Sequence, residues 1–412
     1  MNKLPTFSHI LRRSLIFAAL LPALLFLVRS ASSAEALFLP RAGRGQPLPL
    51  AAGFAFTRER PSAFAEAPEP PTPEQTPLEQ RARLWLESLS TRRKIGQLLL
   101  VRFPEEDAED LSQELEPGGF VLFARDFASR SPDELADLLE RCRRRSLVPP
   151  LASVDEEGGT VVRISVFPPY RTQRFLSPRA LLRQGGLELV RRDAAEKAAL
   201  LHSLGIQVNL GPVCDVADQE SAFLYNRTAG DDAETVSAYV RAVVETSMEG
   251  GVGCVLKHFP GYGNNADTHV GSATDNRPLQ DFEQCDFLPF AAGIEAGAGA
   301  VMVSHNIVSC MDPSVPASLS KPVHDLLRES LRFSGVCITD DLAMAAVAKG
   351  RDPGEVAVLA LLAGNDLLCT DRPQELAAAL EEALERGRIP EERLDEAVLR
   401  VLRWKLALGL LT

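Results

Sequence analysis

The chain has 412 residues, of which 45% are hydrophobic and 24% charged, and its formal net charge at pH 7 is −12. These fractions are typical of a water-soluble globular protein. The acidic balance argues against nucleic acid as a partner. Length alone would suggest two or three domains, although α/β barrels often exceed about 250 residues as one unit.

The first 34 residues have the pattern of an export signal. Lys3, Arg12 and Arg13 precede an uncharged run at 14–28, and small residues follow at 31–34. As a helix, this run would reach roughly 22 Å, which is short for a membrane core of roughly 30 Å. We therefore expect a cleaved signal peptide and an exported protein, periplasmic or extracellular, with a retained membrane anchor as the alternative.

Residues 35–76 are rich in Ala, Pro and Glu and have no hydrophobic periodicity, which predicts a flexible, partly extended tether. From residue 91 onward, short apolar runs alternate with amphipathic helical patterns. Strands are predicted at 98–103, 120–124, 151–155, 208–213, 253–258, 300–305, 336–340 and 366–370. Helices are predicted at 132–145, 187–204, 233–250, 288–296, 321–331, 354–363, 374–386 and 391–408.

Eight near-continuous apolar strands separated by helices indicate a parallel sheet covered on its outer face. We expect residues 77–412 to form a single (β/α)8 TIM-type barrel, with the last helix against the barrel wall. A doubly wound open sheet is the alternative. The seven cysteines include no Cys-x-x-Cys pair, so buried free thiols are expected rather than a disulfide framework.

Catalytic groups of a parallel barrel lie at the C-terminal ends of its strands and on the loops that follow. Ionisable and polar residues recur at these predicted ends, behind strands that are otherwise apolar. They are Asp155-Glu156-Glu157, Asp215, Lys257-His258, Ser304-His305-Asn306 and Thr339-Asp340-Asp341. This recurrence indicates an active site at one end of the barrel, although His305 could equally be a hydrogen-bonded core residue.

The segment 256–277 (LKHFPGYGNNADTHVGSATDNR) concentrates the potential catalytic groups. An apolar run leads into Lys257 and His258, and Pro260 ends the strand. Asp267 and His269 follow as an Asp-x-His triplet in a loop rich in Gly and Asn. A carboxylate two residues from an imidazole can fix its tautomer and raise its basicity, as a proton-transfer group requires.

The motif KHFPGYG…DTH in this segment and the motif TDDLAM at 339–344 resemble signatures of glycoside hydrolase family 3. The similarity is to its single-domain β-N-acetylglucosaminidase branch and extends over about residues 90–412. Tyr262 stands where many members carry a second histidine. The resemblance implies a barrel without the family's common second α/β sandwich domain, so the acid/base group must lie on the barrel itself.

The resemblance also assigns roles to individual residues. Asp340 is expected to be the nucleophile that attacks the anomeric carbon, and His269, oriented by Asp267, the acid/base. Independently of the resemblance, the position of Asp341 before the next helix predicts that it caps this helix. The substrate-binding residues implied by the resemblance are Asp155, Arg227, Lys257, His258 and Met344. Two further departures from the family pattern are Glu156, where Gln is usual, and Ala229, where an aromatic residue is usual.

The implied activity is retaining exo-hydrolysis of terminal β-linked N-acetylglucosamine from cell-wall, peptidoglycan-derived saccharides. We expect a small saccharide or muropeptide as partner, no cofactor or metal, a monomer, and membrane contact only through an uncleaved N-terminal segment. Within the family, β-glucosidase or β-xylosidase activity is the alternative. A metal-dependent barrel hydrolase is disfavoured because no His-x-His strand motif is present, and a non-catalytic cell-wall-binding barrel is a further alternative.

Overall fold

The computed structural model describes residues 76–265 and 273–411. The predicted signal peptide, the predicted tether up to residue 75, and the predicted acid/base pair Asp267 and His269 lie outside the described residues. No helix in the described ranges is both long enough and apolar enough to cross a membrane.

Eight parallel strands form the central sheet. They are β1 (Leu99–Arg102), β2 (Gly119–Leu122), β3 (Leu151–Val154), β4 (Val208–Asn209), β5 (Gly253–Phe259), β7 (Ala300–Val303), β9 (Val336–Thr339) and β10 (Leu368–Thr370). The short strands β6 (Thr274–Asp275) and β8 (Ile307–Val308) pair with each other in a separate two-stranded sheet.

The sheet closes into a barrel. Each strand hydrogen-bonds in parallel to the next, and β10 pairs with β1. At the remaining seam, a parallel bridge joins Ile338 to Leu367, and the Thr339 N–H donates to the Leu367 carbonyl at 3.0 Å. The predicted barrel is therefore confirmed, and the open doubly wound sheet is wrong.

Helices cover the outside of the barrel. They are α1 (Pro77–Ser88), α2 (Thr91–Gln97), α3 (Ala108–Glu114), α4 (Ala124–Ala128), α5 (Pro132–Arg145), α6 (Pro178–Ser203), α7 (Ala233–Glu249), α8 (Leu279–Asp281), α9 (Phe287–Glu295), α10 (Lys321–Asp325), α11 (Ala345–Ala348), α12 (Pro353–Ala363), α13 (Pro373–Glu385) and α14 (Glu391–Ala407). Several begin with a capping side chain followed by proline, an arrangement that satisfies a backbone N–H and pre-sets the first turn. Examples are Ser131 before α5, Ser177 before α6 and Asp352 before α12.

The strands divide the apolar side chains between two layers because successive side chains point to opposite faces. Val255, Val336 and Ile338 pack in the core inside the barrel. Leu256 and Cys337, one position away, pack in an outer layer with the helices. This two-residue period decides which side chains reach the barrel mouth.

The last helix packs against the barrel, as expected, with Leu394 and Val398 in the outer apolar layer. It also closes the N-terminal end of the barrel. Val401 and Trp404 of α14 belong to the core inside the barrel. The Trp404 indole lies directly against Gly299, just before β7, and close to Gly253 at the start of β5. Since α14 covers this end, the polar strand ends identified in the sequence lie at the opposite end.

Two other expectations have definite outcomes. The predicted strand at 208–213 is too long, because Gly211 and Pro212 interrupt the ladder and Val213 forms only an isolated bridge to Lys257. The expected free thiols are confirmed. All seven cysteines are free and five are buried, while Cys285 is partly exposed and Cys310 is exposed.

Candidate active site

Three predicted site residues continue the inward-facing positions of their strands. Lys257 lies two residues after the inward-facing Val255, and Asp340 lies two residues after Ile338. Asp155 directly follows the last residue of β3. All three stand at the C-terminal end of the barrel, where parallel barrels place their chemistry.

Lys257 is the centre of a buried charge network. Its ammonium nitrogen lies 2.6 Å from Asp155 Oδ1 and 2.6 Å from Glu157 Oε1, and the lysine side chain is only 2% exposed. Burial lowers the pKa of Lys257, but the two carboxylates outweigh burial, and the net shift is upward. The lysine is therefore a charged donor at neutral pH, although it is buried.

Glu157 also holds the second cation of the network, Arg227. Two of the guanidinium nitrogens donate to the two Glu157 oxygens at 2.9 and 2.7 Å, a paired geometry that fixes the orientation of the arginine. Burial would raise the pKa of Glu157, but Lys257 and Arg227 hold it well below its usual range. One carboxylate thus joins the loop after β4 to strand β5.

His258 is held in one tautomer by its two neighbours. Arg227 Nη2 lies 3.3 Å from His258 Nε2, and because arginine can only donate, Nε2 accepts. The ring proton is then on Nδ1, which lies 2.7 Å from Asp215 Oδ2. Asp215 also accepts the backbone N–H groups of His258 and Tyr262 at 3.1 and 2.8 Å. This fully buried carboxylate therefore orients the imidazole.

Asp340 lies at the end of β9 and is partly exposed. Its backbone N–H donates to the Val303 carbonyl of β7 at 3.0 Å, which extends the ladder past the last strand residue. Its Oδ1 accepts the Asp341 N–H at 2.8 Å. These contacts fix both the backbone and the carboxylate of the predicted nucleophile.

Asp341 does not cap the next helix, contrary to expectation. Its Oδ1 accepts the N–H of Ala343 within a tight turn, and α11 begins later, after Met344, without a side-chain cap. Asp341 instead pairs with Arg102, whose Nε lies 2.6 Å from Oδ2. Burial raises the pKa of Asp341, although Arg102 opposes that shift. Arg102 therefore balances the charge next to the predicted nucleophile.

Two other predicted residues are enclosed by protein. His305 is fully buried, and its Nε2 lies 3.0 Å from the Asp341 carbonyl, which requires that nitrogen to donate. Its Nδ1 lies 2.7 Å from Ser318 Oγ. Met344 is 6% exposed. His305 therefore supports the backbone beside Asp340, and contact between Met344 and the sugar stays a prediction.

Sequence reasoning missed Arg163, which lies on the loop after β3. Its Nη2 is 4.0 Å from Asp155 Oδ2, and its guanidinium carbon is 6.0 Å from the centre of the Phe123 ring. Arg102 lies over the same ring at 5.7 Å. These contacts connect the Asp155 side of the mouth to the Asp341 side.

Glu156 explains how this loop is held. Its buried carboxylate accepts the backbone N–H groups of Arg163 and Ile164 at 2.8 Å each, and the Ser165 hydroxyl at 2.5 Å. Glu156 is thus committed to loop structure, unlike its neighbours in sequence. Among the described side chains, no group of three or more His, Cys, Asp or Glu residues is arranged to hold a metal ion.

Residues 90–404 match the description "Glycosyl hydrolase family 3 N terminal domain". The chain belongs to glycosyl hydrolase family 3. The resemblance seen in the motifs is therefore confirmed, and the match covers the whole barrel from β1 to β10. The described residues include no second α/β domain.

Curated relatives of this family 3 chain are named β-hexosaminidase. The protein from Xanthomonas campestris pv. campestris (strain B100) is 36% identical over 269 residues, which are 64% of this chain and 80% of the relative. The protein from Xylella fastidiosa (strain 9a5c) is 37% identical over 270 residues, which are 64% of this chain and 78% of the relative.

Two solved structures are similar to this chain in fold and in sequence. A family 3 β-N-acetylglucosaminidase from Paenibacillus sp. str. FPU-7 has a TM-score of 0.73 and 32% identity, covering 78% of this chain and 63% of that one. The structure of M tuberculosis LpqI has a TM-score of 0.71 and 31% identity, covering 78% of this chain and 94% of that one.

The network predicts that Glu157→Gln removes both stability and sugar affinity. Breaking a buried ion pair leaves Lys257 and Arg227 undercompensated, so the free energy of unfolding should fall by about 3 kcal/mol. The Michaelis constant should rise because both cations lose their fixed orientation. Urea unfolding and steady-state kinetics measure these effects. Glu220→Gln, an exposed carboxylate on the same loop as Arg227, is the matched control.

The stability difference between wild type and Glu157→Gln should depend on pH, and the sign of this dependence follows from the pKa of Glu157. Because the pKa of Glu157 is depressed in the folded protein, its stabilisation is present above the ordinary glutamate pKa of about 4.3 and is lost as the pH falls below that value. The stability difference between wild type and Glu157→Gln should therefore shrink in acid. A difference that stays constant from neutral pH to pH 3 would contradict a charged Glu157.

Proposed function

We propose that this family 3 glycosidase is a retaining exo-β-N-acetylhexosaminidase, which removes terminal β-linked N-acetylglucosamine. The relatives named β-hexosaminidase support this substrate. The observation that carries the proposal is that Asp340, Asp155 and Lys257 continue inward-facing strand positions at one barrel mouth, where Glu157 pairs with both Lys257 and Arg227. A nucleophile and a polar recognition surface are thus held on a rigid frame.

The charge network suits the hydroxyl groups of a sugar. Each hydroxyl donates one hydrogen bond and accepts others, so a surface with alternating carboxylates and cations can satisfy both roles. Asp155 is 18% exposed and accepts, while Arg227 is 13% exposed and donates. Hydrogen bonds to charged groups are stronger than neutral ones, and these groups are already fixed before the sugar arrives.

The reaction proceeds in two displacements. Asp340 attacks the anomeric carbon while the bond to the leaving oxygen breaks, and His269, oriented by Asp267, gives its proton to that oxygen. Water then attacks the glycosyl-enzyme, His269 takes a proton from this water, and the bond to Asp340 breaks. The two inversions give net retention. An imidazole suits both proton transfers because its ordinary pKa is near neutral.

Peptidoglycan-derived saccharides are the proposed substrates, because the N-terminal pattern predicts export to the compartment that holds the cell wall. Purified protein should hydrolyse 4-nitrophenyl β-N-acetylglucosaminide faster than the matching β-glucoside and β-xyloside. It should also release N-acetylglucosamine from disaccharide muropeptides. A preference for the glucoside or the xyloside in kcat/KM would contradict the hexosaminidase proposal.

Asp340→Ala should reduce turnover on every substrate by on the order of 10⁴-fold or more, because no other group replaces the nucleophile. The midpoint of thermal unfolding should change little, since the side chain is partly exposed at the mouth. Steady-state kinetics and thermal unfolding measure the two effects. Appreciable residual turnover by a folded variant would place the nucleophile elsewhere.

His269→Ala should affect substrates according to their leaving groups. A poor leaving group needs the proton and should lose roughly 10²- to 10⁴-fold in kcat/KM, whereas a dinitrophenyl leaving group departs without it. The exposed His202→Ala is the control. Equal losses on both substrates would remove His269 from the acid role.

A further inference from the structure

Two short stretches that the structure describes flank residues 266–272, which contain Asp267 and His269. We call residues 261–265 the upstream stem and residues 273–277 the downstream stem; seven residues lie between them. Arg277, at the end of the downstream stem, contacts both. None of the catalytic or sugar-binding roles assigned above includes this arginine.

The downstream stem is tied to Arg277 by several hydrogen bonds. Asp275 accepts the Arg277 backbone N–H at 2.9 Å, the Nε at 3.0 Å and the Nη2 at 2.9 Å. The stem is also paired to the barrel side, because Ile307 and Ser309 donate to the carbonyls of Ala273 and Asp275 at 2.8 Å each. The position of this stem is therefore fixed at its backbone and at a side chain.

The Arg277 guanidinium also contacts the helical turn Phe282–Asp286, which precedes α9. Arg277 Nη1 and Nη2 donate to the Asp286 carboxylate at 2.8 and 3.2 Å, and the guanidinium carbon lies 4.3 Å from the centre of the Phe282 ring. Asp286 is 1% exposed. Burial raises its pKa to about 6, although Arg277 opposes that shift, so Asp286 is ionised at neutral pH.

The upstream stem packs directly on this ion-pair group. A Cβ added to Gly263 would stand 2.9 Å from the Arg277 guanidinium carbon, and a Cβ added to Gly261 would overlap the Asp286 carboxylate. Both glycines have positive φ, at 53° and 123°, which other residues rarely adopt. The chain can therefore approach the two charged side chains only because these positions carry no side chain.

We propose that Arg277 is a positioning residue for the acid/base step. Its guanidinium, held by Asp275 and Asp286, supports the upstream stem and ties down the downstream stem, and so fixes both ends of the segment that carries His269. This inference rests on the proposed function, in which His269 transfers the proton. Proton transfer requires close placement, and an error of about 1 Å can cost roughly 10²-fold in rate.

The geometry requires an arginine. The planar fork uses Nε and Nη2 on one carboxylate and Nη1 and Nη2 on the other, whereas a lysine ammonium is a single point donor. Arg277→Lys would keep the charge but could not orient both partners. The sugar network is built from other side chains, so its affinity for N-acetylglucosamine should survive either substitution.

The test compares Arg277→Met and Arg277→Lys with wild type on two N-acetylglucosaminides, one with a poor and one with a dinitrophenyl leaving group. Both variants should lose kcat/KM on the poor leaving group, by roughly 10²-fold for Met and less for Lys. Loss on the dinitrophenyl substrate should be much smaller, and inhibition by N-acetylglucosamine should be unchanged. Equal losses on both substrates, or none in the folded Lys variant, would overturn the proposal.

Arg403→Met is the matched control for lost stability. Arg403 is a 22% exposed arginine that pairs with the buried Glu79 at 3.0 Å, far from the mouth, and its loss should lower the unfolding midpoint without leaving-group dependence. In a His269→Ala background, Arg277→Met should add no further leaving-group dependence. If the loss of kcat/KM in His269→Ala does not depend on the leaving group, His269 is not the acid. If that loss depends on the leaving group in His269→Ala but not in Arg277→Met, Arg277 has no positioning role.

Discussion

The site depends on one constraint: two cations are buried at the barrel mouth and must stay charged. Burial of Lys257 and Arg227 disfavours their charge, and Glu157 compensates because its carboxylate contacts both. Asp155, at the exposed side of the network, is the second carboxylate that stabilises the charge of Lys257. Since these groups satisfy one another before any ligand is present, their donors and acceptors are already oriented at the mouth.

The barrel supplies the rest of the geometry through the two-residue period of its strands. Inward positions are apolar at depth, as at Val255 and Ile338, and polar two residues later, at Lys257 and Asp340. The barrel floor is closed by Trp404, so the polar layer lies at the other end. The proposed nucleophile and the proposed recognition groups therefore come from different strands but share one frame, and the stems beside Arg277 attach to the same frame.

Much of this arrangement was accessible from sequence, because it depends on local pattern. The eight strands, the C-terminal location of Asp155, Lys257 and Asp340, and the free thiols follow from apolar periodicity and composition. Partners that meet only in three dimensions were not accessible. Asp341 had a helix-cap pattern, yet Arg102, far away in sequence, pairs with it. Arg163 and Arg277 lie on loops without periodicity, so the sequence does not predict which residues they contact.

A crystal structure of the protein with bound N-acetylglucosamine would test the central claim most directly. The account predicts sugar hydroxyls within hydrogen-bond distance of Asp155, Lys257 and Arg227, with the anomeric carbon about 3 to 3.5 Å from an Asp340 carboxylate oxygen. A sugar bound at the mouth with its anomeric carbon turned away from Asp340, or a sugar bound without contact to the Lys257–Glu157–Arg227 network, would contradict it.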